Sequence, residues 1–167
     1  MSSTSIWDSL PINIARPDIQ EDVFWNSYAN QENRASLHLS ILANIYLEMI
    51  LSHNKTIESR FSVQRRMPYE RVAPGDVLLL KQTGGPIRGI AYVENVWFYR
   101  IENDTLAIIK KKFGKEMQIQ SEDFWKKCET STYATLMKLS HVKKIAPIAF
   151  PKRDRNAWAI LQNNVHT

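Results

Sequence analysis

The sequence predicts an α+β domain: a compact mixed sheet or barrel with short flanking helices, preceded by an N-terminal helical extension. Two observations carry this. Between Leu37 and Gln162, β-prone segments bounded by turn residues are interrupted by three short helical patterns, irregularly rather than in the alternation of a parallel βαβ array. The length, 167 residues with 44% hydrophobic side chains, fits one domain with a modest appendage.

A change of character near Asn33 to Ala35 separates residues 1–35, the extension, from residues 36–167. In the extension, "RPDIQEDVFWNSY" sets Pro17 and acidic residues at a helix start and spaces Ile19, Val23, Phe24 and Tyr28 along one apolar side. That side is expected to pack on the main domain. Trp7, Phe24 and Trp25 also offer a surface to another protein or to a second copy of the chain.

"LHLSIL" from Leu37 alternates weakly and reads as a strand; "NIYLEMILS" reads as a helix capped by Asn44, with Ile45, Met49 and Ile50 on its stripe. "HNKTIESRF" follows as a short apolar-alternating strand. "APGDVLLLKQTGGP" and "IRGIAYVENVWFYRI" give two more, rich in β-branched and aromatic residues and separated by a Gly-Gly-Pro turn. "NDTLAIIKKKFGK" predicts a helix capped by Asn103 or Asp104, with Leu106, Ile109 and Phe113 inward and a stop at Gly114. "SEDFWKKC" repeats the device behind Ser121. "YATLMKLSHVKKI" and "AWAILQ" are the final strands, on either side of "APIAFPKRDR".

Net charge is +5 and the isoelectric point near 9.3, which leans toward anionic partners. One cysteine, Cys128, rules out an internal disulfide, so a cytoplasmic setting is expected. The N-terminal residues lack a basic region followed by an apolar run, and the apolar stretch from Ile41 to Leu51 is interrupted by Asn44 and Glu48, so no membrane insertion is expected. His38, His53, His141 and His166 have no metal-ligand spacing, and neither metal nor cofactor is expected. Nucleophile elbows, Walker loops and dinucleotide fingerprints are absent.

The chemistry concentrates in "HNKTIESRF". On an extended strand, Ile57 and Phe61 share one face while Glu58 and Arg60 share the other, about 7 Å apart along the backbone. A carboxylate and a guanidinium at that spacing can hold each other in place, and Lys55 at the strand's start can lean over the same surface. The alternative is a wet strand face carrying a weak ion pair. A second basic group, "PKRDRNAW", brings Lys152, Arg153 and Arg155 near Trp158, while Arg65 and Arg66 extend the positive surface. Tyr69, Tyr99 and Tyr133 are aromatic candidates for contact with a base.

"HNKTIESRF" is similar to the signature of the ASCH domain family, a branch of the PUA-like superfamily, written Gly-x-Lys-x-x-Glu-x-Arg. Lys55, Glu58 and Arg60 match in spacing, and His53 stands where the family has glycine. "VAPGDVLLLKQTGGPIRGIAYVENVWFY", "SEDFW", "YATLMKL" and "PKRDRNAW" resemble successive ASCH segments in order, so the likeness spans roughly residues 36 to 162. The resemblance implies a PUA-like mixed β-barrel with a basic cleft beside the Lys-Glu-Arg strand, associated with RNA or modified-nucleoside recognition.

On that basis RNA or a nucleotide is the expected partner, with Lys55 and Arg60 meeting phosphate or base and Glu58 orienting them. The remaining ligand-binding candidates are Arg65, Arg66, Lys152, Arg153 and Arg155. The alternative is an enzyme, either an amidohydrolase on acylated cytidine or a ribonuclease, in which Lys55, Glu58 and Glu116 would be catalytic. The amidohydrolase subgroup has threonine at the position of Glu58. On sequence alone, Glu58 should hold Lys55 protonated, and Arg60→Ala should weaken binding at nearly constant melting temperature.

Overall fold

The structure, a computed structural model, describes residues 16–31 and 35–162. Among the described residues, six strands form one mixed sheet in the order β2-β5-β4-β3-β1-β6. They are β1 (Leu37–Leu42), β2 (Ile57–Ser62), β3 (Val77–Gln82), β4 (Ile87–Arg100), β5 (Tyr133–Ile148) and β6 (Trp158–Gln162). β1 and β3 run parallel, and the other neighbouring pairs are antiparallel.

β4 and β5 are 14 and 16 residues long, and their ladder shifts register at Ile87/Gly89, Ile90/Tyr92 and Val93/Asn95. Each shift adds twist and bend, so the sheet curls into a half-barrel instead of lying flat. The curl brings its two edges together: the Arg60 guanidinium of β2 lies 5.4 Å from the ring of Trp158 on β6. The architecture is α+β, as expected.

Five helices among the described residues flank the sheet: α1 (Arg16–Gln20), α2 (Val23–Ala29), α3 (Asn44–Leu51), α4 (Thr105–Met117) and α5 (Glu122–Cys128). The helix expected in the extension is in fact two. Asp22 ends the first and caps the second, its carboxylate accepting from Trp25 N at 3.0 Å. The break rotates the apolar side, so Val23 is 88% exposed while Ile19, Trp25 and Tyr28 are buried. Trp25 is therefore no docking surface. It is fully enclosed, and its indole N–H donates to His141 O at 2.8 Å. Phe24 is half-buried and stacks on the His141 ring at 3.6 Å. Trp7 and residues 32–34 of the expected boundary lie outside the described residues.

Two other helix details differ from expectation. α3 is capped at Ala43 and buries Leu47, Ile50 and Leu51, leaving Ile45 56% exposed. α4 continues past Gly114, because burying Met117 beneath Ile109 and Phe113 adds another turn of apolar contact; Gln118, at φ 53, ends it.

Apolar side chains cover both faces of β3: Val77 and Leu79 pack with Trp25, Tyr28 and Ile90, while Leu78 and Leu80 pack with Leu47, Ile50 and Trp158. A third cluster joins Ile57 and Leu136 to Ile109, Phe113 and Met117. No helix among the described residues is long and apolar enough to cross a membrane.

Candidate functional site

The turn after α3 positions the first candidate side chain. Asn54 N and Lys55 N both donate to Met49 O at 3.0 Å, and His53 sits at φ 65. A left-handed residue at this point explains why a glycine suits the signature there, and histidine is among the side chains that tolerate it. The turn directs Lys55 inward: its side chain is 2% exposed, and Nζ donates to Met117 O, near the end of α4, at 2.5 Å. The orphan carbonyls of a helix end favour a cation.

Glu58 sits between the two cations of the motif. Its Oε2 lies 3.9 Å from Lys55 Nζ and its Oε1 3.2 Å from Arg60 Nε, with the carboxylate 6% exposed. Arg60 reaches across to the opposite side of the sheet, donating to Ser40 Oγ at 2.9 Å, Ile41 O at 2.8 Å and Ala157 O at 3.3 Å. Its Nε makes the ion pair but no hydrogen bond among the described residues. The charged face of β2 is thus a buried wall, not a wet surface.

The polar chain continues beyond Arg60. The guanidinium lies over the Trp158 ring; Trp158 Nε1 donates to His38 Nδ1 at 3.1 Å, and His38 Nε2 meets Asp76 Oδ2 at 2.8 Å. With Nδ1 accepting, Nε2 carries the proton and donates to the carboxylate. Asp76 also accepts from Ser36 N and Ala73 N, each at 2.9 Å. One polar line therefore runs from Asp76 through His38, Trp158, Arg60 and Glu58 to Lys55. His38, Asp76 and Ser40 were missed in the sequence. The signal was present in β1 and the residue before it, where Ser36, His38 and Ser40 alternate with apolar neighbours and so share a face.

Burial holds the Lys55 ammonium below its usual range, outweighing Glu58, which pulls the other way, while Arg60 adds to the lowering. The expectation that Glu58 would dominate is corrected: desolvation at this depth is the larger effect. Tyr46, also missed, places its ring 5.4 Å from Lys55 Nζ, and burial followed by Glu58 raises its phenol. Burial also lowers Arg60, but from a value so high that the guanidinium stays charged. The Cys128 thiol is pushed up to about 12 by burial, which makes it a poor nucleophile.

A lysine depressed in the fold has a definite linkage. Between its folded value and the unfolded 10.5, the unfolded chain binds more protons, so stability rises with pH. The raised Tyr46 opposes this only above 10.0, where the unfolded phenol ionises first. Lys55→Met is expected to flatten the rise below 10.0, measured as the denaturant midpoint against pH; an undiminished slope would overturn the assignment.

Two clefts open beside the chain. The first, of about 780 Å³, lies between the edges of the half-barrel and is lined by Arg60, Arg66, Pro68, Arg155, Asn156 and Trp158 among others, with no carboxylate among the described residues of its lining. The second, of about 860 Å³, is lined by Lys81, Gly84, Gly85, Lys152, Asp154 and Arg155 among others. Residues 155–157 belong to both. The structure thus gathers Lys55, Glu58 and Arg60 in one group, Arg60, Arg66 and Arg155 in a second, and Lys152 with Arg155 in a third.

Other candidates lie apart. Arg65 is exposed, pairs with Glu70 and lies over Tyr69. Arg153 is exposed and lines neither cleft. Glu116 has an exposed side chain; only its carbonyl approaches the motif, accepting from Thr56 N at 3.1 Å.

No family model and no curated protein matches this sequence. Solved structures do. The crystal structure of an ASCH protein from Zymomonas mobilis superposes with a TM-score of 0.56 at 24% identity, covering 70% of this chain and 74% of that one. Two mutant forms from the same organism superpose with TM-scores of 0.61 and 0.62 at 20% identity. These cover 77% and 79% of this chain and 91% and 92% of theirs. Together with the curled sheet and the buried Lys-Glu-Arg motif, these superpositions establish that the chain has the ASCH fold.

Proposed function

We propose that the chain binds single-stranded RNA or a nucleotide in the cleft between the edges of its half-barrel. The observation that carries this reading is three arginines, Arg60, Arg66 and Arg155, in one cleft whose described lining holds no carboxylate; Glu58 pairs with Arg60 from outside that lining, and Arg66 and Arg155 form no ion pair among the described residues. Such a lining attracts an anion of several charges. Arg66 and Arg155 are exposed and supply the phosphate contacts. Arg60, with donors held by Ser40, Ile41 and Ala157, keeps the wall in shape. Pro68, Met67 and Trp158 give the cleft its apolar surface, and Asn156 its neutral polar group, a combination suited to a base. A cytoplasmic setting goes with this reading, supported by a sequence whose single cysteine forms no internal disulfide.

The test is titration of a labelled single-stranded RNA pentamer at several salt concentrations. Arg66→Ala and Arg155→Ala are each expected to weaken binding by about fivefold and to lower the salt slope by about 0.7, the share of one phosphate on a single strand. Melting temperatures should stay put, since neither side chain joins the core. Binding that ignores salt, or survives both substitutions together, would remove the reading.

A second reading, a small hydrolase acting on acylated cytidine, is supported by Lys55: burial eases its deprotonation, and Glu58 Oε2 lies 3.9 Å away as a proton carrier. Incubation with acylated cytidine tests it. Turnover should rise with pH and vanish in Lys55→Met; no turnover at high enzyme concentration excludes this reading.

A further inference from the structure

Lys81 is the cation that neither the sequence motif nor the proposed cleft uses. It ends the alternation Val77, Leu79, Lys81 on β3 and falls at the register shift between Leu80 and Lys81, where the strand runs into the Gly84–Gly85 turn. It is 5% exposed and pairs with no carboxylate among the described residues. Its ammonium donates to Gly85 O and, at 3.2 Å, to Gln82 O. An ammonium has three donors and a full charge, so two carbonyls leave both a donor and the charge unanswered. Lys81 also lines the second cleft, whose other charged residues are Lys152, Arg155 and Asp154. Asp154 is engaged with Lys152, so among the described residues the cleft carries three cations against one carboxylate. Its far wall, residues 155–157, is shared with the arginine cleft.

We propose that the Lys81 cleft is a phosphate subsite, taking the phosphate next along the chain from a nucleotide held in the arginine cleft. This rests on the nucleotide-binding reading and sharpens it: the ligand is an oligonucleotide with at least one bridging or terminal phosphate, not a free nucleoside. Arg155 stands at the junction and serves both phosphates. The apolar groups of the second cleft, Phe150 and Pro151 among them, reduce competition from water for the buried ammonium.

The experiment has two arms. In the first, the RNA pentamer and a mononucleoside are titrated onto the intact chain and onto Lys81→Gln, below the melting temperature of each. The substitution is expected to weaken the pentamer about tenfold, the scale of a lost charge-assisted contact, and to leave the nucleoside unchanged. An unchanged pentamer affinity overturns the subsite and leaves Lys81 a cap for its turn. In the second arm, which needs no variant, pyrophosphate is added to the intact chain and hydrogen exchange is followed over residues 81–86. Protection is expected, and none at saturating pyrophosphate overturns the subsite. The two readings also separate. Pyrophosphate protection without pentamer binding keeps the anion site and removes the RNA reading. Pentamer binding that is indifferent to Lys81 and without pyrophosphate protection does the reverse.

Discussion

Glu58→Gln is expected to destabilise the fold by about 3–5 kcal/mol, the cost of stranding buried charge. In a chain of 167 residues that is a fall in melting temperature of roughly 10 °C. The reason is the balance around one carboxylate. Glu58 faces Lys55 at 3.9 Å and Arg60 at 3.2 Å, with Lys55 and Glu58 almost wholly buried and Arg60 only 18% exposed. Removing its charge leaves two cations in the interior with no counter-charge. Lys55 responds by losing its proton more readily, since Glu58 is what pulls it upward, and the variant should therefore recover part of its stability as pH rises. Lys55→Met is the contrasting case: it leaves Glu58 and Arg60 as a one-to-one pair, so its effect on stability near neutral pH should stay within about 1 kcal/mol. Thermal melts of the two variants and of the double variant give the cycle. A Glu58→Gln protein that melts with the parent would mean that the carboxylate does not organise these cations. A Lys55→Met protein as stable as the parent would show that the fold does not require this buried cation, and would favour the hydrolase reading proposed above.

Much of this arrangement was legible before the fold was known, and the limits have physical causes. The strands could be read because β-branched runs between Gly and Pro turns have few other outcomes, and the Lys-Glu-Arg spacing located the motif on one of them. The helix in the extension was misread because Val23 and Phe24 keep a helical spacing with Tyr28. Asp22, able both to end one helix and to cap the next, overrides that spacing, and Trp25 takes the interior. Depth was the harder quantity. Nothing in "KTIESR" shows that the end of α4, at Met117, and Tyr46 of α3 will meet its lysine, so Lys55 was taken as governed by its ion pair when desolvation governs it. Lys81 was hidden for a similar reason: at the end of the apolar run "VLLLK" it resembles a solvent-facing strand terminus, and only the turn folding back over it shows otherwise.

Arg60→Ala is expected to cost about 2–4 kcal/mol of stability, which reverses the sequence-based expectation of an unchanged melting temperature. β2 and β6 are the two edges of the sheet, separated by every other strand in the order, and no backbone ladder among the described residues joins them. Arg60 is a direct tie between these sides: one side chain on β2 holds Ser40 Oγ and Ile41 O of β1, Ala157 O just before β6, and the face of Trp158. Alanine removes those donors together and leaves Glu58 facing only Lys55 at 3.9 Å. The loss should be local before it is global. Hydrogen exchange over residues 157–162 is expected to speed up more than over the β4–β5 ladder, whose long pairing does not depend on the tie. Arg60→Lys keeps the charge but not the planar fork, so it should recover less than half of the lost stability. Uniform exchange acceleration, or full rescue by lysine, would mean that charge alone matters at this position. On the proposed nucleotide-binding reading, RNA affinity lost in Arg60→Ala would therefore report the shape of the cleft. The proposed phosphate contacts are to be tested at Arg66 and Arg155, where binding can fall without the half-barrel opening.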